Sequence, residues 1–165
     1  MRKILIFSIC ILLLGFCGCQ NAAPQQEIQA TEPPETAETV KETEEKDMQL
    51  YLRIKDTEVQ VSWEDNETVD ALKKLAGEGE LTVELSMYGG FEQVGPLGTS
   101  LPHKDAQTTT ASGDIVLYSG NQIVIFYGPN AWAYTRIGHI TNKTPSEMTE
   151  LLSKGDVSVT FYCAE

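Results

Sequence analysis

The chain predicts a mainly β domain, a closed or nearly closed barrel whose ends are plugged by two short helices. Three observations carry that expectation. Four segments alternate apolar and polar side chains with a period of two. Two more are apolar on both faces and are joined by a hairpin signal. Two stretches carry the start and stop residues of helices.

Before the domain lies an address. Residues 1–19 read MRKILIFSICILLLGFCGC, with Arg2 and Lys3 ahead of an almost unbroken apolar run from Ile4 to Phe16. The run is shorter than the roughly 20 residues that span a bilayer, and its layout is that of an export signal. Its ending, Gly18–Cys19, resembles a bacterial lipoprotein signal, in which cleavage leaves a lipid-modified cysteine as the new N-terminus. The processing enzyme of that family needs a small residue before the cysteine. Cys19 follows Gly18, whereas Cys17 follows Phe16 and Cys10 lies within the apolar run, so Cys19 is the expected lipidation site. The family prefers Leu three residues upstream, where this chain has Phe16. One acyl chain anchors only marginally, and the diacylglyceryl group that the resemblance implies supplies two. The expected location is the cell membrane, lipid-anchored on its extracytoplasmic face.

Residues 20–47 hold eight acids against Lys41 and Lys46, half of the net charge of −12. With Pro24, Pro33 and Pro34 and hardly any large apolar residue, this stretch cannot bury enough surface to offset chain entropy. A disordered acidic tether is expected, extended by self-repulsion. The alternative is an acidic docking tail.

Residues 48–165 then form one domain. Leu50, Leu52 and Ile54 share one strand face, and Val59, Val61 and Trp63 repeat the alternation after a turn at Asp56–Thr57. Asp65 or Asn66 caps a first helix, with Glu67 and Asp70 early, Lys73 and Lys74 late, a Val69/Leu72/Leu75 stripe and Gly77 as its end. Leu81, Val83, Leu85 and Met87 form the next strand. Ile115 to Tyr118 and Ile123 to Tyr127, linked by Gly120–Asn121, are apolar on both faces and should be covered twice. Thr144, Pro145 and Glu147 have the spacing of a capping box and open a second helix, which buries Met148, Leu151 and Leu152 and stops at Gly155. Val157, Val159, Phe161 and Cys163 complete the pattern.

One segment resists. Tyr88 to Gly113, with five glycines, two prolines and no sustained period, reads as a long irregular loop and as one wall of any site. The domain carries sixteen acids and eight bases, which excludes nucleic-acid binding as an expectation. Removal of the signal leaves only Cys19 and Cys163, so no intrachain disulfide is expected, and Cys163 reads as a small core residue.

The run GDIVLYSGNQIVIFYGP, from Gly113 to Pro129, followed by YTRIGHI, Tyr134 to Ile140, resembles the small bacterial cyclophilin-like family. The segments NETVDALKKL and TVELSMYGGFE lie in the order that family uses, so the likeness spans about residues 48–165. It implies an eight-stranded cyclophilin-like barrel with two helices, and little about activity. True cyclophilins twist prolyl amides with an arginine in a Phe-His-Arg motif. The equivalent strand here reads Leu85-Ser86-Met87-Tyr88, and the only arginines of the domain are Arg53 and Arg136. No catalytic residue is assigned.

The candidate ligand-binding residues are Phe91, Glu92, His103, Tyr127, Trp132, Tyr134 and Arg136. Phe126, Tyr127, Trp132 and Tyr134 crowd a short Gly128–Pro129–Asn130 loop, either rimming a ligand pocket or, with Phe126 in the core, covering a barrel mouth. Arg136 either clamps an anion or carbonyl, or pairs with Glu84 or Glu92. His139 shares a face with Ile137 as a structural histidine, while His103 is the freer of the two. Asp114 reads as a turn cap and Asn66 as a helix cap. No metal or cofactor is expected: the two histidines have no carboxylate cluster at ligand spacing, and no phosphate loop, nucleophile elbow or dinucleotide fingerprint is present.

These observations point to a membrane-tethered extracytoplasmic domain that binds a peptide or small ligand. An extracytoplasmic prolyl isomerase is the enzyme alternative. A structural envelope protein, its barrel mouth filled by its own side chains, is the third.

Overall fold

Period-two alternation becomes antiparallel pairing in the computed structural model, which describes residues 48–165. The export signal, Cys19 and the acidic tether lie outside the described residues. The elements are β1 (Gln49–Ile54), β2 (Thr57–Val59), β3 (Val61–Trp63), α1 (Glu67–Gly77), β4 (Leu81–Tyr88), β5 (Glu92–Pro96), β6 (Ala106–Thr110), β7 (Asp114–Tyr118), β8 (Gln122–Phe126), β9 (Asn130–Ile140), α2 (Pro145–Leu152) and β10 (Val157–Ala164). Nine strands run in the order β2-β1-β10-β4-β5-β8-β7-β9-β3, and β6 pairs separately with β9.

The first and last members of that order, β2 and β3, are separated in the chain by Gln60 alone. The segment 57–63 pairs with β1 through its first half and with β9 through its second, so one bent strand draws the two edges together. Counted once, it makes the nearly closed barrel one of eight staves. The single strand expected across Val59 to Trp63 therefore divides at Gln60. There the amide donates to Asn142 Oδ1 (2.9 Å) and the carbonyl accepts from Thr141 N (2.8 Å) while the ladder changes partner.

Side chains on the inner face make the main core. Leu52, Ile54, Leu72, Leu85, Ile115 and Phe161 are among its fully buried members, each stabilising by about 1.5–3 kcal/mol relative to exposure. Both helices close on it. α1 is capped by Asn66, whose side chain accepts from Val69 N (3.1 Å), and buries Val69, Leu72 and Ala76. α2 has the full capping box between Thr144 and Glu147 and buries Met148 and Leu152. Gln93, fully buried on β5, ties the end of α2 to the barrel by donating to the carbonyls of Leu152 (2.6 Å) and Gly155 (2.8 Å).

Strands β7 and β8 are covered twice. Ile115, Leu117, Ile123 and Ile125 face the main core, while Val116, Val124 and Phe126 face outward into a second, smaller core. Phe91, Val94 and Tyr134 pack over that outer face. The cover comes from the first half of β9, which pairs with β6 before its second half joins β7 and β3.

Three sequence expectations are corrected. Tyr88 to Gly113 is not one irregular loop, because it contains β5 and β6. β5 was hidden by Gly95 and Pro96; a side chain on Gly95 would run into the Glu84 carbonyl, and Pro96 closes the strand. β6 was hidden by its polarity, since AQTTT is an outer strand with little to bury. The hairpin turn is the three residues Ser119–Gly120–Asn121, between the paired Tyr118 and Gln122. Gly120 has φ +76° there, and a side chain on it would strike the His103 ring. Finally, His139 does not share a face with Ile137. Ile115 pairs with Gly138 and Val116 with Arg136, so Ile137 is a bulge residue that turns Arg136 and His139 to the same outer face.

Candidate functional site

The outer face of β5, β8 and β7 carries a cavity of about 680 Å³. Strand periodicity builds its floor. Glu92 and Val94 point outward from β5, Gln122 and Val124 from β8, and Tyr118 from β7. Its walls come from Tyr88 at the end of β4 and from Asn130, Trp132 and Tyr134 on the crossing half of β9. The cavity thus lies on the side of the barrel, over the second core, and not at a barrel mouth.

Tyr88, Tyr118 and Trp132, at 65%, 37% and 58% exposure, all line it, half of the large apolar side chains left exposed among the described residues. Exposed apolar groups scattered singly need no explanation, whereas a cluster in a concavity marks a binding surface. Tyr134 is buried and sets the geometry. Its ring packs edge-on against Phe126 (5.5 Å between centroids) and Tyr118 (5.9 Å). Its hydroxyl accepts from Asn130 Nδ2 at 2.9 Å.

Glu92 is the buried acid of this site, only 6% exposed. Its Oε2 is enclosed and has no hydrogen-bond partner. Burial pushes its carboxyl above the usual range, and a hydrogen bond from Asn130 opposes the shift in part. Burial likewise raises the Tyr134 phenol, helped by the negative charge of Glu92.

The rim is held from outside. Asp105 Oδ2 accepts from Ser119 N (3.0 Å) and its Oδ1 from the Thr135 hydroxyl (2.7 Å), bracing the β7–β8 turn against β9. Leu101 N donates to the Gly120 carbonyl (2.8 Å) in the same turn.

Of the residues selected from sequence, Glu92, Trp132 and Tyr134 meet in this cavity. Phe91 lies in the second core, and Tyr127 is buried in the main core. His103 and Arg136 border a neighbouring depression of about 460 Å³, which shares Tyr134. His103 Nδ1 sits 3.3 Å from Asp105. Arg136 pairs with neither Glu84 nor Glu92: its Nη1 lies 3.1 Å from Asp114, and its Nη2 donates to the Thr109 carbonyl (2.7 Å). The bulge at Ile137 determines that partner. Sequence reasoning missed Tyr88 and Tyr118. Each is the last residue of its strand beside a glycine-containing turn, and that position was the available signal.

A larger depression of about 750 Å³ lies where β1 to β3 meet α1, and Leu50, Trp63 and Val69 border it. The Trp63 indole there already donates to the Leu50 carbonyl (2.8 Å), and the pocket ends on the main core. Among the described residues, no cluster of three or more metal-ligating side chains occurs, and no helix is long and apolar enough to cross a membrane.

Most of the residues that build this domain are matched by a family model. That model describes the cyclophilin-like family and covers residues 52–162. The chain belongs to the cyclophilin-like family. No curated protein matches it. A solved structure similar to this cyclophilin-like chain is the solution structure of a hypothetical protein from Archaeoglobus fulgidus, at 22% identity and a TM-score of 0.49, over 71% of this chain and 95% of that one. Within the cyclophilin-like domain, Cys163 is free and partly buried beside the main core, and burial raises its thiol above the ordinary value. A thiol raised in this way is a poor nucleophile.

Proposed function

We propose that this protein is a membrane-anchored extracytoplasmic lipoprotein whose cyclophilin-like domain binds a peptide segment or small molecule in the outer-face cavity. The observation that carries the reading is one concavity that combines three exposed aromatic side chains with a buried carboxyl oxygen lacking any partner. Unpaired buried polar atoms and exposed aromatic clusters each cost stability or solubility, and their coincidence in one concavity supports a binding role. Binding is favoured over prolyl isomerisation because no arginine borders the cavity, and Arg136 is held by Asp114 and the Thr109 carbonyl.

The test uses the full chain. Thermal midpoints and Trp132 emission are followed against proline peptides, flavins, nucleotides and common metabolites. A ligand at 100 times its dissociation constant adds about 2.7 kcal/mol of stability, and Trp132→Ala should remove the effect. A panel without a hit would remove support for a small-molecule site. In a protease-coupled proline-peptide assay, no acceleration is expected; turnover abolished by Arg136→Ala would overturn the preference for binding. The anchor is tested separately. Cys19→Ser should move the protein from the membrane to the soluble fraction, and an unchanged distribution would sink that half of the reading.

A further inference from the structure

The walls of the cavity narrow the class of ligand, and this inference rests on the reading that the cavity is a binding site. Tyr88, Tyr118, Trp132 and Tyr134 surround it, Glu92 lies in its floor, and no lysine, arginine or histidine borders it. An anion would meet a carboxylate and the negative faces of aromatic rings, with no charge to receive it. A neutral apolar ligand would fill the space but leave Glu92 Oε2 buried and uncompensated. A cation has the reverse relation to both features. Aromatic rings attract a cation held within about 6 Å of their centroids, and most strongly when it carries alkyl groups and is weakly hydrated.

No basic group lines the cavity; Arg136, His103 and Lys104 border the neighbouring depression instead. Arg136 is paired with Asp114, and His103 with Asp105. Only burial and the Asn130 amide act on the Glu92 carboxyl, so no cationic group of the cavity lining supplies its counter-charge. Asn130 gives Glu92 one hydrogen bond, which leaves its charge unneutralised. A buried charge beneath an apolar floor acts across several ångströms, because little water screens it.

We propose that the cavity binds an organic ammonium ion, with the exposed rings of Tyr88, Tyr118 and Trp132 against its alkyl groups and Glu92 as the counter-charge below. Compact, strongly hydrated inorganic cations suit these walls less well, since one carboxylate among rings and neutral amides falls short of the charged oxygen shell they require. The shared chemistry is the alkylammonium group, whether on a free amine or on a lysine side chain of a peptide.

The experiment compares charge at constant shape. Choline and its neutral isostere 3,3-dimethylbutan-1-ol are titrated into the full chain at fixed ionic strength, with Trp132 emission and the thermal midpoint as readouts. Choline should bind at least tenfold more tightly than the alcohol. In Glu92→Gln that ratio should fall to near one, and in Trp132→Ala choline binding should weaken at least tenfold. Butylammonium and Nα-acetyl-lysine amide distinguish a free amine from a lysine side chain as the source. Equal or tighter binding of the alcohol to the wild-type chain would overturn the ammonium inference and leave the binding site standing; that comparison needs no variant. A tenfold ratio that persists in Glu92→Gln would overturn the role of Glu92. If no ammonium probe acts while the broader panel yields a hit, the ammonium inference alone falls. If nothing binds, both readings fall.

Discussion

Two buried carboxyl groups face outward from the same sheet, on strands separated only by β8, and the chain treats them in opposite ways. Asp114 on β7 is 4% exposed, yet each of its oxygens is occupied. Oδ1 lies 2.7 Å from His139 Nδ1, while Oδ2 lies 3.1 Å from Arg136 and accepts from Ala111 N at 2.8 Å. Glu92 on β5 is buried to a similar degree, has only the Asn130 amide, and keeps one enclosed oxygen without a partner. The first carboxyl is a structural bolt that joins β7 to the bulged end of β9. The second lines an aromatic cavity and leaves one enclosed oxygen unpaired. Burial alone does not distinguish the two acids; the state of their partners does.

Removing each carboxyl breaks that comparison most directly. Asp114→Ala should destabilise the domain by about 2 kcal/mol, because the Ala111 amide, Arg136 and His139 all lose a buried acceptor while both basic partners stay in reach of water, and urea midpoints measure it. His139 is half-exposed, so His139→Ala should cost about 1 kcal/mol or less by the same measurement; a loss as large as that of Asp114→Ala would show that His139 and not Arg136 carries the cluster.

Glu92→Gln should act in the other direction, with a gain of about 1 kcal/mol at neutral pH, because an uncompensated buried charge disappears. The sign follows from linkage. Burial raises the folded-state value of Glu92 above its ordinary 4.5, so the native state holds the proton more firmly than the unfolded chain does. Its stabilising effect is full below about pH 4.5 and is lost as the pH rises through the raised value. Wild type and Glu92→Gln should therefore converge at pH 4 and separate at pH 7.5. A variant less stable than wild type at pH 7.5 would mean that Glu92 is compensated and that the contrast with Asp114 is wrong. Trp132→Ala closes the series: its side chain is 58% exposed, so stability should change by less than about 0.5 kcal/mol while ligand binding is lost.

Much of the barrel was legible locally. Alternation in β1, β4 and β10 named most of their buried apolar residues, with Met87 near the end of β4 left 46% exposed, and the double apolarity of β7 and β8 announced two covers before either was seen. Asn66 and the Thr144–Glu147 pair marked both helix starts through short-range hydrogen bonds, which sequence spacing encodes directly. The cavity was legible only in part. Trp132 and Tyr134 stood out as aromatic, whereas Tyr88 and Tyr118 looked like the ends of strands. Glu92 was visible as an acid in a glycine-rich stretch, but its burial was not, because the cover arrives from β9 some forty residues later.

The sequence by itself determined the period of each strand, the capping of each helix and the acidic balance of the domain, since those depend on neighbours a few residues apart. Only the tertiary structure decided where β4 turns from β10 to β5 past Gly95, where Gln60 hands the bent strand from β1 to β9, and how a single bulge at Ile137 gives Asp114 its two partners. The same long-range pairing lays the first half of β9 across the outer face and leaves Glu92 without a counter-charge. Local chemistry sets which way a side chain points along its own strand, and the partner it then meets is set by strand register over distances that no local pattern records.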